Sequence, residues 1–231
     1  MGHPELGSGS RVLNQTLQAL PMNSSIEVIL YDLGNVILPF DHYQIAEKLV
    51  RFSPETGTLD PKQIFSFLFD FEKGAVNHYE TGEVSSHQFF YSLKETFQLS
   101  LTFEEFIPIW NEIFVENREV SETILSQKGK WRLGLLSNTN PLHFHHVLAT
   151  FPIVRVFDRW ILSHEVGFKK PAVGIFQKAM QWASVEPEKI LFIDDMKKNV
   201  EAAISLGIQG VHFTSARQLK EELSKKLTTQ G

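Results

Sequence analysis

Short apolar runs that alternate with helical patterns constrain the fold of this chain most strongly. The run "VILY" at residues 28–31 ends at a polar turn, the pattern of a strand buried on both faces. Similar runs lie at residues 131–136, 191–193 and 211–213, with a weaker one at 160–162. Helical patterns lie between or after them, at residues 121–128, 142–150, 172–183, 200–205 and 216–226. Strands that alternate with helices predict right-handed crossovers and a parallel sheet, and therefore an α/β fold.

One region breaks this alternation. Residues 44–115 contain no convincing strand and instead carry four amphipathic helical patterns, at residues 44–52, 61–72, 86–97 and 103–114. We interpret this region as an all-helical insertion into an α/β core formed by residues 26–43 and 116–231. Within it, Gly82 offers a turn, and Ser85 with Gln88 has the spacing of a capping box. Residues 1–25, which contain "GSGS", are predicted to be a separate flexible extension.

Composition limits the classes of function. The chain has 231 residues, of which 42% are hydrophobic and 21% charged, as in ordinary globular proteins. A net charge of -5 without a Lys/Arg-rich run gives no electrostatic reason to bind nucleic acid or an anionic membrane surface. The absence of cysteine excludes disulfides and thiolate chemistry, and no apolar run approaches the ~20 residues that span a bilayer. We expect a cytoplasmic protein whose partner is a small molecule.

Polar residues follow several of the predicted strands. In a parallel α/β sheet, ligands bind beyond the carboxyl ends of the strands. The residues that follow the strands are Asp32, Ser137, Asn138, Thr139, Asp194 and Asp195, and a loop before a helix adds Lys169 and Lys170. Three carboxylates, a hydroxyl and a lysine are therefore expected to meet at one edge of the sheet.

Such a set of residues suits phosphate chemistry. Three crowded carboxylates repel one another unless a cation joins them, and an all-oxygen set of ligands suits Mg²⁺. With the metal bound, Lys170, Ser137 and nearby backbone N–H groups can hold a phosphate. Asp32 can then attack phosphorus in line. Asp32 taken alone would be read as a turn residue; its partners favour a catalytic role.

Four motifs carry a family resemblance. "YDLGNVI", "LLSNTN", "GFKKP" and "LFIDDMKKN", in this order, resemble the motifs of the haloacid dehalogenase (HAD) superfamily, and the helical insertion resembles that superfamily's smaller cap. "DLGNVI", "HYETGEVS", "LSNTNPLH", "KKP" and "FIDDMKKNVEAA" resemble the bacterial α-D-glucose-1-phosphate phosphatase subgroup. The resemblance covers about residues 27–215. It implies a Rossmann-like core with an inserted four-helix cap, and Mg²⁺-dependent hydrolysis of a small phosphomonoester such as a sugar phosphate.

The resemblance also implies roles for individual residues. Asp32 would be the nucleophile and form an aspartyl-phosphate that water then hydrolyses. Lys170 would neutralise charge on Asp32 and on the phosphate, and Asn199 is expected to orient the acid pair or Lys170. Phosphate would be bound by Ser137, the backbone of Asn138, Lys170 and Gly34. The implied metal ligands are Asp32, the backbone carbonyl of Gly34, Asp195 and, directly or through water, Asp194.

The glycine at position 34 departs from most of the family. Most family phosphatases carry a second Asp two residues after the nucleophile, which protonates the leaving oxygen. Glycine cannot transfer a proton, so a contribution of ~10²- to 10⁴-fold must be lost or supplied elsewhere. Sequence neighbourhood suggests five candidate donors: Asp41, His78, Glu80, Glu83 and His143. The α-D-glucose-1-phosphate phosphatase subgroup shares the glycine.

Two other functions compete with the phosphatase, and one motif suggests a zinc site. A dehalogenase would act through an Asp ester on carbon and needs no metal, which the pair Asp194 and Asp195 argues against. A non-catalytic HAD-like binding protein finds support only in Gly34, and the retention of Asp32 and Lys170 weighs against it. In "HFHH", His143 and His146 share a helix face as zinc ligands do, but no third ligand follows, and packing is favoured for His143.

Overall fold

The computed structural model describes residues 25–54, 57, 59–70 and 72–227, so the predicted N-terminal extension lies outside it except for Ser25. The described strands are β1 (Val28–Tyr31), β2 (Arg132–Ser137), β3 (Arg159–Leu162), β4 (Ile190–Asp194) and β5 (Gln209–His212). They form one sheet in the order β3-β2-β1-β4-β5, and all neighbouring strands are parallel. The predicted α/β fold with a parallel sheet is confirmed.

The described helices connect consecutive strands of this sheet or follow its last strand. In chain order they are α1 (Tyr43–Leu49), α2 (Pro61–Phe69), α3 (Val76–Glu80), α4 (Ser86–Thr96), α5 (Phe103–Asn111), α6 (Arg118–Gln127), α7 (Pro141–Thr150), α8 (Ser163–Val166), α9 (Val173–Ala183), α10 (Lys197–Ser205) and α11 (Ala216–Lys226). Short 3-10 helices lie at Val50–Phe52, Pro152–Val156 and Pro187–Lys189. Among the residues that the structure describes, no helix combines the length and the apolar character that crossing a membrane requires.

The central strand β1 is buried on both faces, which explains its continuous apolar sequence. Ile29 and Tyr31 belong to one hydrophobic cluster, and Val28 and Leu30 belong to another on the opposite face. Because β1 lies between β2 and β4, the residues that follow these three strands meet at one edge of the sheet. This topology places Asp32 between the ends of β2 and β4.

The helical insertion has a hydrophobic cluster of its own. That cluster includes Leu68, Phe90 and Trp110, so the phenylalanine-rich stretches pack inside the cap. The chain enters and leaves the cap through two segments that pair at Phe40 and Phe114. The four predicted helices are present as α1, α2, α4 and α5, and α3 is an additional helix that its short sequence did not reveal. The domain boundaries at residues 44 and 115 stay our interpretation.

Local signals at the start of α4 are confirmed. The Gln88 N–H donates to Ser85 Oγ, and the Ser85 N–H donates to Gln88 Oε1, which together form the expected capping box. Gly82 turns the chain with a φ of +74°. A Cβ at this position would overlap the His164 carbonyl oxygen in the core. Glycine therefore serves both the turn and the close approach of the cap to the core.

Candidate active site

Asp32 lies directly after β1, and only 8% of its surface is exposed. Its backbone N–H donates to Ile193 O at 2.9 Å, which continues the sheet pairing for one more residue. Its Oδ1 accepts from the Leu33 N–H at 2.7 Å and from Lys170 Nζ at 2.7 Å. Burial and the neighbouring charge of Asp194 raise the pKa of Asp32, and Lys170 opposes this rise. These contacts hold a costly buried carboxylate in one orientation.

Lys170 joins two carboxylates in the interior. Its Nζ lies 2.7 Å from Asp32 Oδ1 and 2.7 Å from Asp194 Oδ2, and 2% of the residue is exposed. The ammonium also lies 5.5 Å from the centre of the Phe192 ring. Burial acts to lower the pKa of Lys170, but the two carboxylates together raise it above its ordinary value. Lys170 is therefore a charged bridge between the ends of β1 and β4.

Asp194 is fully buried and supplied with hydrogen-bond donors. Besides Lys170, it accepts from Asn199 Nδ2 at 3.0 and 3.1 Å and from the Met196 N–H at 2.7 Å. Asn199 thus contacts Asp194, and its expected role in orienting the acid pair or Lys170 stays a prediction. Met196 immediately precedes α10, so the bond from its N–H fixes Asp194 in the turn that leads into this helix. The arrangement favours a positioning role for Asp194, because both of its oxygens already have protein partners.

Asp195 completes a group of three carboxylates that fits a divalent cation. One oxygen from each of Asp32, Asp194 and Asp195 lies within 4.8 Å of the others. Asp195 is half-buried, and burial together with Asp194 raises its pKa. Three carboxylates and the single ammonium of Lys170 leave a net charge of two negatives when all are ionised. This donor set of oxygens and this residual charge match Mg²⁺.

Asn138 clamps the backbone of Lys170. Its Nδ2 donates to the Lys170 carbonyl at 2.9 Å, and the Lys170 N–H donates to its Oδ1 at 2.7 Å. Ser137, the last residue of β2, is buried and has a hydroxyl 3.4 Å from the Asn138 carbonyl oxygen. These contacts connect the end of β2 to the loop that carries Lys169 and Lys170, which we call the lysine loop. The predicted phosphate contacts of Ser137, Asn138, Lys170 and Gly34 stay predictions.

The space beside Gly34 is filled by an aromatic ring. A Cβ at Gly34 would lie 2.6 Å from Cε1 of Phe40. The Gly34 carbonyl accepts from the Val36 N–H at 2.7 Å, which closes a tight turn and leaves one lone pair of that oxygen free. The predicted use of this carbonyl as a metal ligand stays a prediction.

The five candidate proton donors each have another partner in the structure. Asp41 Oδ1 accepts from the Tyr43 N–H, and His78 Nδ1 lies 2.6 Å from Glu83 Oε2 in an exposed pair. Glu80 lies 2.7 Å from Lys169 Nζ, which also donates to Asn77 Oδ1 at 2.8 Å. This last set joins α3 of the cap to the lysine loop of the core.

His143 packs between the cap and the core. It is buried and stacks on Trp110, with its Nε2 2.9 Å from the Trp110 carbonyl and its Nδ1 3.1 Å from Asn140 Nδ2. Burial lowers its pKa to about 3, so the ring is neutral. Among the described residues, His143 and His146 belong to no group of metal-ligating side chains. The favoured packing interpretation of His143 agrees with these contacts.

Sequence reasoning missed two parts of this site. It proposed the backbone of Asn138 for phosphate binding, but it did not foresee the side-chain clamp on Lys170. It also missed the Phe40 ring against Gly34. The position of Asn138 directly after β2 was a usable signal, because it places an amide at the same edge as the lysine loop. No comparable signal pointed to Phe40.

The sequence is similar to known hydrolases and phosphatases. The sequence profile of the family described as haloacid dehalogenase-like hydrolase matches residues 70–213, which is more than half of the chain. A D-ribitol-5-phosphate phosphatase from Bacteroides thetaiotaomicron is 27% identical over 207 residues, which covers 86% of this chain and 97% of that protein. A glyceraldehyde 3-phosphate phosphatase from Pyrococcus abyssi is 27% identical over 207 residues, with 81% of each chain covered.

A solved structure shares the fold. It is a HAD family enzyme from Bacteroides thetaiotaomicron, crystallised as a complex with magnesium and inorganic phosphate. The TM-score is 0.72 at 24% sequence identity, and the match covers 82% of this chain and 95% of that one. At this identity the likeness establishes the fold.

Proposed function

This chain belongs to the haloacid dehalogenase-like hydrolases, and from this membership we propose that it is a Mg²⁺-dependent phosphatase of a small phosphomonoester that forms an aspartyl-phosphate on Asp32. The observation that carries the proposal is the buried bridge from Lys170 to Asp32 and Asp194, with Asp195 beside it. A charged lysine and an acid cluster at the end of β1 provide the electrostatics that phosphoryl transfer needs.

Asp32 acts as the nucleophile in this proposal. Attack on phosphorus forms a bond from a carboxylate oxygen to phosphorus and breaks the bond to the leaving oxygen. Water then attacks the phosphoryl group and returns the carboxylate. The Leu33 N–H and Lys170 hold Oδ1 of Asp32, and this fixed orientation removes part of the entropic cost of attack.

The remaining residues neutralise charge, bind the phosphate or position the carboxylates of the site. Lys170 offsets negative charge on Asp32 and on the phosphate, while Ser137 and the Asn138 N–H bind phosphoryl oxygens. Asn199 and the Met196 N–H keep Asp194 in place to receive Lys170. Bound magnesium would supply further charge neutralisation and would be held by Asp32, Asp195 and the Gly34 carbonyl, with Asp194 through water.

A sugar phosphate is the proposed substrate class. The relatives described above are named for phosphatases of ribitol 5-phosphate and glyceraldehyde 3-phosphate, which supports a small phosphorylated polyol or sugar. The finer resemblance to α-D-glucose-1-phosphate phosphatases rests on short motifs and stays a prediction, as does the cytoplasmic location.

A phosphatase panel with and without Mg²⁺ tests the proposal. We expect phosphate release from several small phosphomonoesters, loss of activity in EDTA and its return with Mg²⁺. Full activity in the chelated protein would exclude the metal assignment. Release of halide from a 2-haloacid without metal would favour the dehalogenase, and no turnover of any substrate would favour the non-catalytic binding protein.

A further inference from the structure

The side chain of Asn138 makes a reciprocal pair of hydrogen bonds with one residue, Lys170. The amide NH₂ donates to the Lys170 carbonyl at 2.9 Å, and the amide oxygen accepts from the Lys170 N–H at 2.7 Å. Both distances are within the range of good hydrogen bonds. Because both main-chain polar groups of Lys170 are engaged, the clamp limits rotation of the backbone from which its side chain extends.

The other end of Lys170 is fixed by the acid cluster. Nζ lies 2.7 Å from Asp32 and from Asp194, inside a site where 2% of the lysine is exposed. A long, flexible side chain that must satisfy two buried carboxylates depends on where its Cα lies. A shift of its backbone would lengthen one or both contacts, and a buried carboxylate that loses its partner is costly.

We infer that Asn138 is a positioning residue of the phosphatase, which acts on catalysis by holding the backbone of Lys170 where Nζ reaches both Asp32 and Asp194. The inference rests on the proposed function, since it requires Lys170 to act in turnover. It is separate from phosphate binding by the Asn138 backbone, because the two hydrogen bonds belong to the side chain.

Two variants test the clamp in different ways. Asn138→Ala removes both hydrogen bonds, whereas the nearly isosteric Asn138→Asp keeps an acceptor for the Lys170 N–H and loses the donor to its carbonyl. We expect each to lower kcat on p-nitrophenyl phosphate with saturating Mg²⁺ by about 10- to 100-fold, the cost of a small misplacement of a catalytic group. KM should change less than kcat. If Asn138→Ala fails to fold, Asn138→Asp carries the comparison.

A control separates positioning from general stability. Asn117 is also a half-buried asparagine, and its side chain caps α6 by accepting from the Val120 N–H. Asn117→Ala makes the same chemical change away from Lys170. It should lower the urea concentration at which half of the protein is unfolded, because the cap of α6 is lost, and leave kcat unchanged at a temperature where the protein stays folded.

A double-mutant cycle with Lys170→Ala decides the inference. In the Lys170→Ala background, neither Asn138→Ala nor Asn138→Asp should lower kcat/KM further, because the group that they position is gone. Equal losses in both backgrounds, or natural activity of both Asn138 variants, would overturn the inference. Full activity of Lys170→Ala, or an inactive natural protein, would instead overturn the proposed function, and neither result needs an Asn138 variant.

Discussion

The ring of Phe40 occupies the space that a side chain on Gly34 would need. A Cβ at Gly34 would lie 2.6 Å from Cε1 of Phe40, closer than such contacts occur in proteins. The ring is held from other sides by His42 and Phe114, whose ring centres lie 4.3 and 5.7 Å away. A carboxyl-bearing side chain at position 34 would therefore have no room unless the Phe40 ring moved.

Gly34→Asp alone should destabilise the protein without supplying a general acid. Overpacking against Phe40 is expected to cost about 1–3 kcal/mol, and Phe40→Ala should relieve part of that cost in the double variant. Urea unfolding of the natural protein, both single variants and the double variant measures this coupling. Strictly additive effects of the two substitutions would contradict the proposed clash.

The natural protein should depend strongly on the pKa of the leaving group. Gly34 provides no acid, so aryl and acyl phosphates, and to a lesser degree anomeric sugar phosphates, should react faster than phosphates of simple primary alcohols. A series of phosphomonoesters, measured where the chemical step limits the rate, gives the slope. The slope should flatten in the Gly34→Asp/Phe40→Ala variant and not in Gly34→Asp. A flat series for the natural protein would mean that another residue already donates the proton.

His42 should make the folded state sensitive to acid. The ring stacks on Phe69 at 4.2 Å, and burial lowers its pKa to about 4 against the opposing charge of Asp41. His143 also faces it, with ring centres 6.2 Å apart. A lowered pKa in the folded state means that the unfolded chain binds the proton first. The stability that depends on neutral His42 should therefore be fully present above about pH 6.5 and should be lost as the pH drops towards 4.

His42→Phe isolates this effect because it keeps an aromatic ring in the stack. Between pH 7.5 and 5, His42 is expected to account for up to about 2 kcal/mol of the lost unfolding free energy. The natural protein should therefore lose more stability over this range than His42→Phe, in urea unfolding at both pH values. Subtracting the loss measured for His42→Phe from that of the natural protein removes the contributions of other titrating groups, because both proteins share them. Identical losses would show that His42 is not held neutral in the folded state.

Much of the fold and the main acids of the site could be predicted because their signals are local. The run "VILY" and Asp32 after it predict a buried strand with an acid at its end, and parallel pairing then brings Asp194 to the same edge. Helix α3 escaped prediction because five residues with buried Val76 and Tyr79 are too short for a clear period.

Contacts between residues far apart in the chain could not be read in the same way. The pairing of Lys169 with Glu80 spans 89 positions, and the clamp of Asn138 on Lys170 depends on how two loops meet. The overlap that a side chain at position 34 would make with Phe40 depends on the turn that brings Phe40 beside Gly34. In each case the residue type allows the contact, but only the packed structure selects the partner.

The proposed role of Asp32 can be tested most directly by locating the phosphoryl group during turnover. The natural protein with Mg²⁺ and a saturating phosphomonoester is quenched in acid within one turnover, digested and analysed by mass spectrometry. We expect a phosphoryl group on Asp32, no such adduct in Asp32→Asn, and a fall of kcat in that variant by orders of magnitude with the fold intact. A phosphoryl group on another residue, or an Asp32→Asn variant with nearly natural kcat, would contradict the proposal that Asp32 is the nucleophile.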